Sequence, residues 1–129
     1  MRLLPLLILL AVAACKFDGT ISGYTDTNAT WKLVELDGKP FKAHATIRFP
    51  SKDTLNGQAP CNTYGASQTV PLPLFKLERL ISTKIACADM AAELWFFAAL
   101  NAMTLAETLG DTMILSNETG REIVFKSTP

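Results

Sequence analysis

From Thr30 onward, apolar and polar residues alternate in short runs broken by Gly, Asn, Asp and Pro, the pattern of an antiparallel sheet with one face buried. The run Thr30-Trp31-Lys32-Leu33-Val34-Glu35-Leu36 stops at Asp37-Gly38, a strong two-residue hairpin signal. The next strand, Ala45-Thr46-Ile47-Arg48-Phe49, is its expected partner. Its alternation turns Ala45, Ile47 and Phe49 inward and His44, Thr46 and Arg48 outward, so the single histidine reads as a solvated strand residue. Pro50 to Asp53 make a turn, and 54–58 a short strand in which Gly57 marks a bulge or a close backbone approach. Asn62 and Gly65 are residue types that accept left-handed backbone, so a tight turn is expected after Cys61. Pro71 and Pro73 cannot donate to a ladder and place their segment at an edge or in an extended crossing; Phe75 to Ile81 regains strand character. A second hairpin spans 105–109 and 112–115 around Gly110-Asp111, and Asn117 to Gly120 turn the chain into a last strand, 121–125.

The period changes once. Residues 88–103 are rich in Ala and Leu and read as a helix, with Asp89 and Glu93 in early turns where carboxylates complement the dipole. Met90, Leu94 and Phe97 fall on one side, Phe96, Leu100 and Met103 on a neighbouring one, and Trp95 stands apart. A helix this apolar must be covered on most of its girth. Either it packs into the core with one aromatic part-exposed, or Trp95, Phe96, Phe97 and Leu100 offer a face to a partner or ligand. Trp31, Leu33, Ile47, Phe49, Leu100, Leu115 and Phe125 are expected to share one core.

The N-terminal stretch has another logic. Arg2 precedes an uncharged apolar run, Leu3 to Ala14, too short to span a membrane and laid out like a secretory signal over residues 1–14. Val12-Ala13-Ala14-Cys15 resembles the bacterial lipobox, which predicts an acylated Cys15 at the mature N-terminus, a flexible tether over 15–29 and a folded domain over 30–129. The chain is then held to membrane in the bacterial cell envelope. Lys16 is not the aspartate linked to inner-membrane retention, which favours the outer membrane.

Charge and cysteines narrow the classes further. Twelve Lys and Arg balance twelve Asp and Glu, and loss of Arg2 leaves a net charge of about minus one. The cations are scattered singly among acids, so nucleic acid is not an expected partner. In an exported chain Cys61 and Cys87 most simply pair, which a chain-entropy estimate makes worth about 3.5 kcal/mol. A metal pair and a reactive thiol are the competing readings; His44 is the only histidine, and no catalytic acid adjoins either cysteine. Asp37, Asp53, Asp89 and Glu93 lie apart with no paired base or nucleophile, so neither an enzyme nor a cofactor or metal site is expected.

Read together, Trp31-x-Leu33-x-x-Leu36-x-Gly38, Cys61-Asn62-x-x-Gly65, Thr83-x-x-x-Cys87, Glu93, Leu100, Gly110-Asp111-Thr112-x-x-Leu115 and a strand from Gly120 to Phe125 resemble the META domain of HslJ-like proteins over about residues 30–126. Pro60 stands where that family usually has glycine. The resemblance implies a mainly β, α+β fold: a small antiparallel β-barrel-like sheet with one packed α-helix, in which Trp31, Asn62, Gly65 and Thr83 are structural motif residues. It also implies secretion or lipid anchoring and a link to heat shock and envelope stress, with no shared reaction. Two functions stay open, a non-enzymatic lipoprotein that binds or assists another envelope protein, and a carrier of an apolar molecule or acyl chain in the gap between barrel and helix.

Overall fold

A computed structural model describes residues 19–128. The predicted Cys15, the residues before it and Lys16 to Asp18 lie outside that range. The strands are β1 (Thr30–Leu36), β2 (Lys39–Pro40), β3 (Thr46–Ser51), β4 (Thr54–Gln58), β5 (Thr63–Ser67), β6 (Glu78–Ser82), β7 (Leu105–Leu109), β8 (Thr112–Ser116) and β9 (Glu122–Thr128), with one helix, α1 (Met90–Ala102), between β6 and β7. Every strand pairing is antiparallel, and the order is β6-β5-β4-β3-β1-β9-β8-β7 with β2 beside β1.

The sheet is mainly β with one helix, as expected, but among the described residues it is not a closed barrel: β6 and β7 stand at its two edges and do not pair. The proline-bearing crossing lies along the β7 edge. Leu74 bridges Leu105, and Phe75 N–H and Ala106 N–H donate to Thr104 and Pro73 carbonyls at 2.8 Å. This connection covers part of one edge with residues that cannot extend a ladder. The β6 strand begins later than expected, at Glu78, because Phe75 and Leu77 turn into the core before the ladder resumes.

The hairpin turns form where the sequence places them. Asp37 (φ 53°) and Gly38 (φ 78°) connect the Leu36–Lys39 pair, two left-handed residues matching the twist of the strands. The immediate hairpin partner is the two-residue β2, however, while β3 pairs with the other end of β1 through Trp31 and Ile47. Gly57 is a close-approach glycine, since a Cβ there would land on the Thr46 carbonyl oxygen. Thr46 is correspondingly not outward. It is buried, its carbonyl accepts the Tyr64 hydroxyl at 2.8 Å, and its Oγ1 accepts Gln58 N–H at 3.0 Å.

Two other expectations need correction. Residues 19–24 are part of the folded domain rather than tether: a 3₁₀ turn over Ile21–Gly23 puts Ile21 fully inside the core, and the Gly19 carbonyl accepts Leu72 N–H at 2.9 Å. Neither Asn62 nor Gly65 adopts left-handed backbone. Gly65 sits within β5 opposite Asn56 and Ile81, and a Cβ there would meet only Leu55 O at an ordinary 3.7 Å. The seven residues expected in the core are all buried, and α1 contributes Phe96, Ala99 and Leu100 to it.

Candidate functional site

The disulfide exists: Cys61 and Cys87 are bonded with Cα atoms 5.6 Å apart, inside the window the bond requires. It links the loop after β4 to the segment leading into α1. Immediately beneath it lies a buried polar network that gives two of the four motif residues, Asn62 and Thr83, their role. Glu93, in the first turn of α1 and 2% exposed, accepts Cys61 N–H (3.0 Å) and Asn62 N–H (2.8 Å) at Oε1 and the Asn62 side-chain amide (2.7 Å) at Oε2. Asn62 also donates to Ile85 O (2.9 Å), while its Oδ1 accepts the Thr83 hydroxyl (2.8 Å) and Ile85 N–H (2.6 Å). Three backbone segments therefore meet on one amide and one carboxylate. Pro60 does not prevent this, because the loop is held through Cys61 and Asn62 N–H groups that a preceding proline leaves in place.

A carboxylate so committed is a brace. Each of its oxygens receives at least one N–H, and a buried carboxylate is tolerable only on such terms. Glu93 was legible in the sequence as an early-turn acid, but its partner lies 31 residues away and no local signal reports it. Trp31 and Gly65, the other two motif residues, are not part of this network: Trp31 lies in β1 among the core residues and Gly65 in the β5 ladder.

The helix face expected to meet a partner needs redrawing. Phe96 and Leu100 are fully buried and unavailable. Trp95 and Phe97 are half-buried in an aromatic cluster, with Phe41 at 6.0 Å from Trp95 and Tyr64 at 5.5 Å from Phe97. Burial pushes the Tyr64 phenol well above its usual pKa, so it remains a neutral donor to Thr46. What α1 does expose is Leu94, at 62%.

Leu94 is not isolated. Ile85 is also 62% exposed, and Ile81, on edge strand β6, 74%. A shallow depression of about 200 Å³ runs between Ile85, Leu94 and Phe97, and a groove of about 510 Å³ lies across β5 and β6 past Ile81; they share Ser82 and Thr83. The Asn62 network holds this strip in place by fixing Thr83 and Ile85. The result is an apolar row beside a strand edge whose outer backbone groups have no ladder partner among the described residues.

The META domain family matches residues 25–129. An NMR structure of a protein from Burkholderia xenovorans is similar, with 20% identity and a TM-score of 0.64, covering 99% of each chain. So is the crystal structure of a DUF4847 family protein from Bacteroides vulgatus ATCC 8482, with 14% identity, a TM-score of 0.63, and coverage of 81% of this chain and 96% of that one. At such identities the likeness concerns the fold alone. Among curated proteins, none matches.

Proposed function

We propose that this chain, which belongs to the META domain family, is a non-enzymatic lipoprotein of the bacterial cell envelope that binds an extended segment of another envelope protein. One observation carries the reading: the exposed row Ile81, Ile85 and Leu94 lies beside the unpaired edge of β6. An extended segment added to such an edge gains main-chain hydrogen bonds from the strand and specificity from alternate side chains lodged in the adjoining groove. Arg79, left-handed at φ 56° on β6, interrupts the ladder and so restrains indiscriminate edge pairing. The carrier reading has less support. Phe96 and Leu100 fill the space beneath the helix, and the depressions near it are surface features rather than an interior chamber.

The anchor is Cys15 in this reading, with the domain facing the periplasm from the outer membrane. Cys15→Ser should release the protein from the membrane fraction. A photo-crosslinking residue at position 81 or 94 of the membrane-anchored chain should give one and the same protein adduct, absent when the probe sits at exposed Glu118 and lost on Ile85→Asp. An adduct to acyl chains instead of protein supports the carrier, and no difference between positions 81 and 118 defeats both.

A further inference from the structure

At the end of the sheet where the chain enters β1, a second depression is quite different in chemistry. It measures about 760 Å³ and lies between the segment 24–29, the end of β9 at Ser127 and Thr128, and the β7–β8 turn at Gly110 and Asp111. Its lining includes Trp31 and Tyr24, a residue that is 54% exposed. We propose that this cleft binds a neutral carbohydrate, a polyhydroxylated ligand with no net charge.

The wall commits some of its polar groups and leaves others free. Some groups are already used: the Thr25 and Thr128 hydroxyls donate to Ile21 and Thr30 carbonyls, and Asp26 Oδ1 accepts Asn28 N–H. Asp111 is offset by Lys126, 3.7 Å away. Among the described residues the Asn28 side-chain amide and the Thr108 and Ser127 hydroxyls have no hydrogen-bond partner, and Trp31 Nε1 is a buried donor without an acceptor. The cleft thus holds spare donors and spare acceptors side by side.

Each other ligand class fails on one of these features. No Lys or Arg lines the cleft, while Asp26 and Asp111 do, and Lys126 is already paired with Asp111, so a phosphate or carboxylate ligand meets carboxylates with no unpaired cation in the lining. An apolar ligand would cover the Asn28 amide and two hydroxyls without pairing them, which leaves each desolvated and unsatisfied. An organic cation presents donors only and leaves the Asn28 side-chain N–H groups unmet. A sugar hydroxyl both donates and accepts, and the apolar face of a sugar ring packs on an aromatic such as Tyr24. The volume falls within the range of ligand clefts and accommodates more than a single ring.

The site is separate from the β6 strip, so the two readings stand or fall independently. The test uses the full lipidated chain in a detergent without a sugar head group, with Trp95→Phe so that Trp31 alone reports by its fluorescence. N-acetylglucosamine tetrasaccharide and maltotetraose are the probes, one resembling wall glycan and the other a storage-type glucan; spermidine and inorganic phosphate are the controls. Saturable binding of at least one oligosaccharide is expected, weakened about tenfold by Asn28→Ala or by Ser127→Ala with melting temperature unchanged, and unaltered by Ile81→Asp. The proposal is overturned if neither oligosaccharide binds up to about 10 mM, a concentration that reaches affinities weaker than millimolar. Saturable binding of spermidine or phosphate in place of the sugars, or sugar binding indifferent to both wall substitutions, overturns it equally.

Discussion

Glu93 receives Asn62 twice, at Oε1 through the backbone N–H (2.8 Å) and at Oε2 through the side-chain amide (2.7 Å), and both residues are almost wholly buried. This pair fastens the loop after β4 to the first turn of α1. Because Asn62 spends its remaining hydrogen-bonding groups on Thr83 and Ile85, the same bolt sets the position of the exposed apolar strip. Fold and proposed binding surface are thus coupled through one amide.

Replacing Glu93 by Gln is expected to destabilise the domain by about 2 kcal/mol, the scale of hydrogen bonds to a charged group. The amide retains one acceptor oxygen where three donors converge, and its own N–H groups face donors. Asn62→Asp should cost more, since it sets a second carboxylate against Oε2. Urea unfolding of both variants checks this; a loss under about half a kcal/mol for Glu93→Gln would show that the network is not a brace.

The disulfide closes a loop of sequence separation 26, for which the chain-entropy estimate is about 3.5 kcal/mol. Reduction is expected to lower the melting temperature while the Glu93 bonds keep the loop in place and the protein folded at room temperature. Thiol titration of the denatured, unreduced chain should find neither Cys61 nor Cys87 free. Two titratable thiols would count against a structural role for the bond.

How far the sequence reveals this molecule depends on the range of each determinant. The turns at Asp37-Gly38 and Gly110-Asp111 were legible because positive φ at Asp37, Gly38 and Gly110 is a local demand that few residues meet. Cys61 and Cys87 were legible by elimination once export was inferred. Ile21 was missed because one isoleucine among Gly, Ser and Thr has no period, although it ends fully buried. Asn62 was read for its backbone tolerance, whereas its use lies in side-chain bonds to residues 21 to 31 positions away. On α1 nearly every face is apolar, so spacing could not tell buried Phe96 from exposed Leu94; only docking on the sheet separates them. Strand alternation likewise carries no information on whether the two edge strands of a sheet meet, and here the edges β6 and β7 stay apart.

Asp37 supplies a pH signature. Arg121, at 3.0 Å, and then the Glu122 N–H hold its carboxyl below the usual carboxylate range against the opposing effect of partial burial. The folded state therefore favours the ionised form. The resulting stabilisation is fully present above the ordinary value of 3.8 and is lost as pH falls below it through the lower folded value. Both side chains are about a third exposed, so the pair is worth about 0.5 to 1 kcal/mol. Asp37→Asn keeps a residue that tolerates φ 53° and should be less stable than the parent at pH 7, with the difference shrinking below pH 3.8. Chemical denaturation at several pH values measures it, and a gap that widens in acid would reverse the assignment.

The contact between β3 and β4 makes the sharpest steric prediction. A Cβ at position 57 would overlap the Thr46 carbonyl oxygen and approach the Tyr64 hydroxyl at 3.0 Å, and the hydroxyl in turn donates to that same carbonyl at 2.8 Å. A flexible side chain could yield, but a strand backbone paired on both sides cannot move without shifting Trp31–Ile47 pairing on one side and Gly57–Tyr64 pairing on the other. Gly57→Ala should therefore destabilise by about 3 kcal/mol, at the upper end of overpacking costs. Gly65→Ala, within the same sheet but with only an ordinary 3.7 Å neighbour, should cost far less. The comparison of the two variants in one denaturant series isolates close approach from the general penalty of altering a strand glycine. Equal losses would mean that the two strands have room to part and that Tyr64 and Thr46 do not fix their spacing.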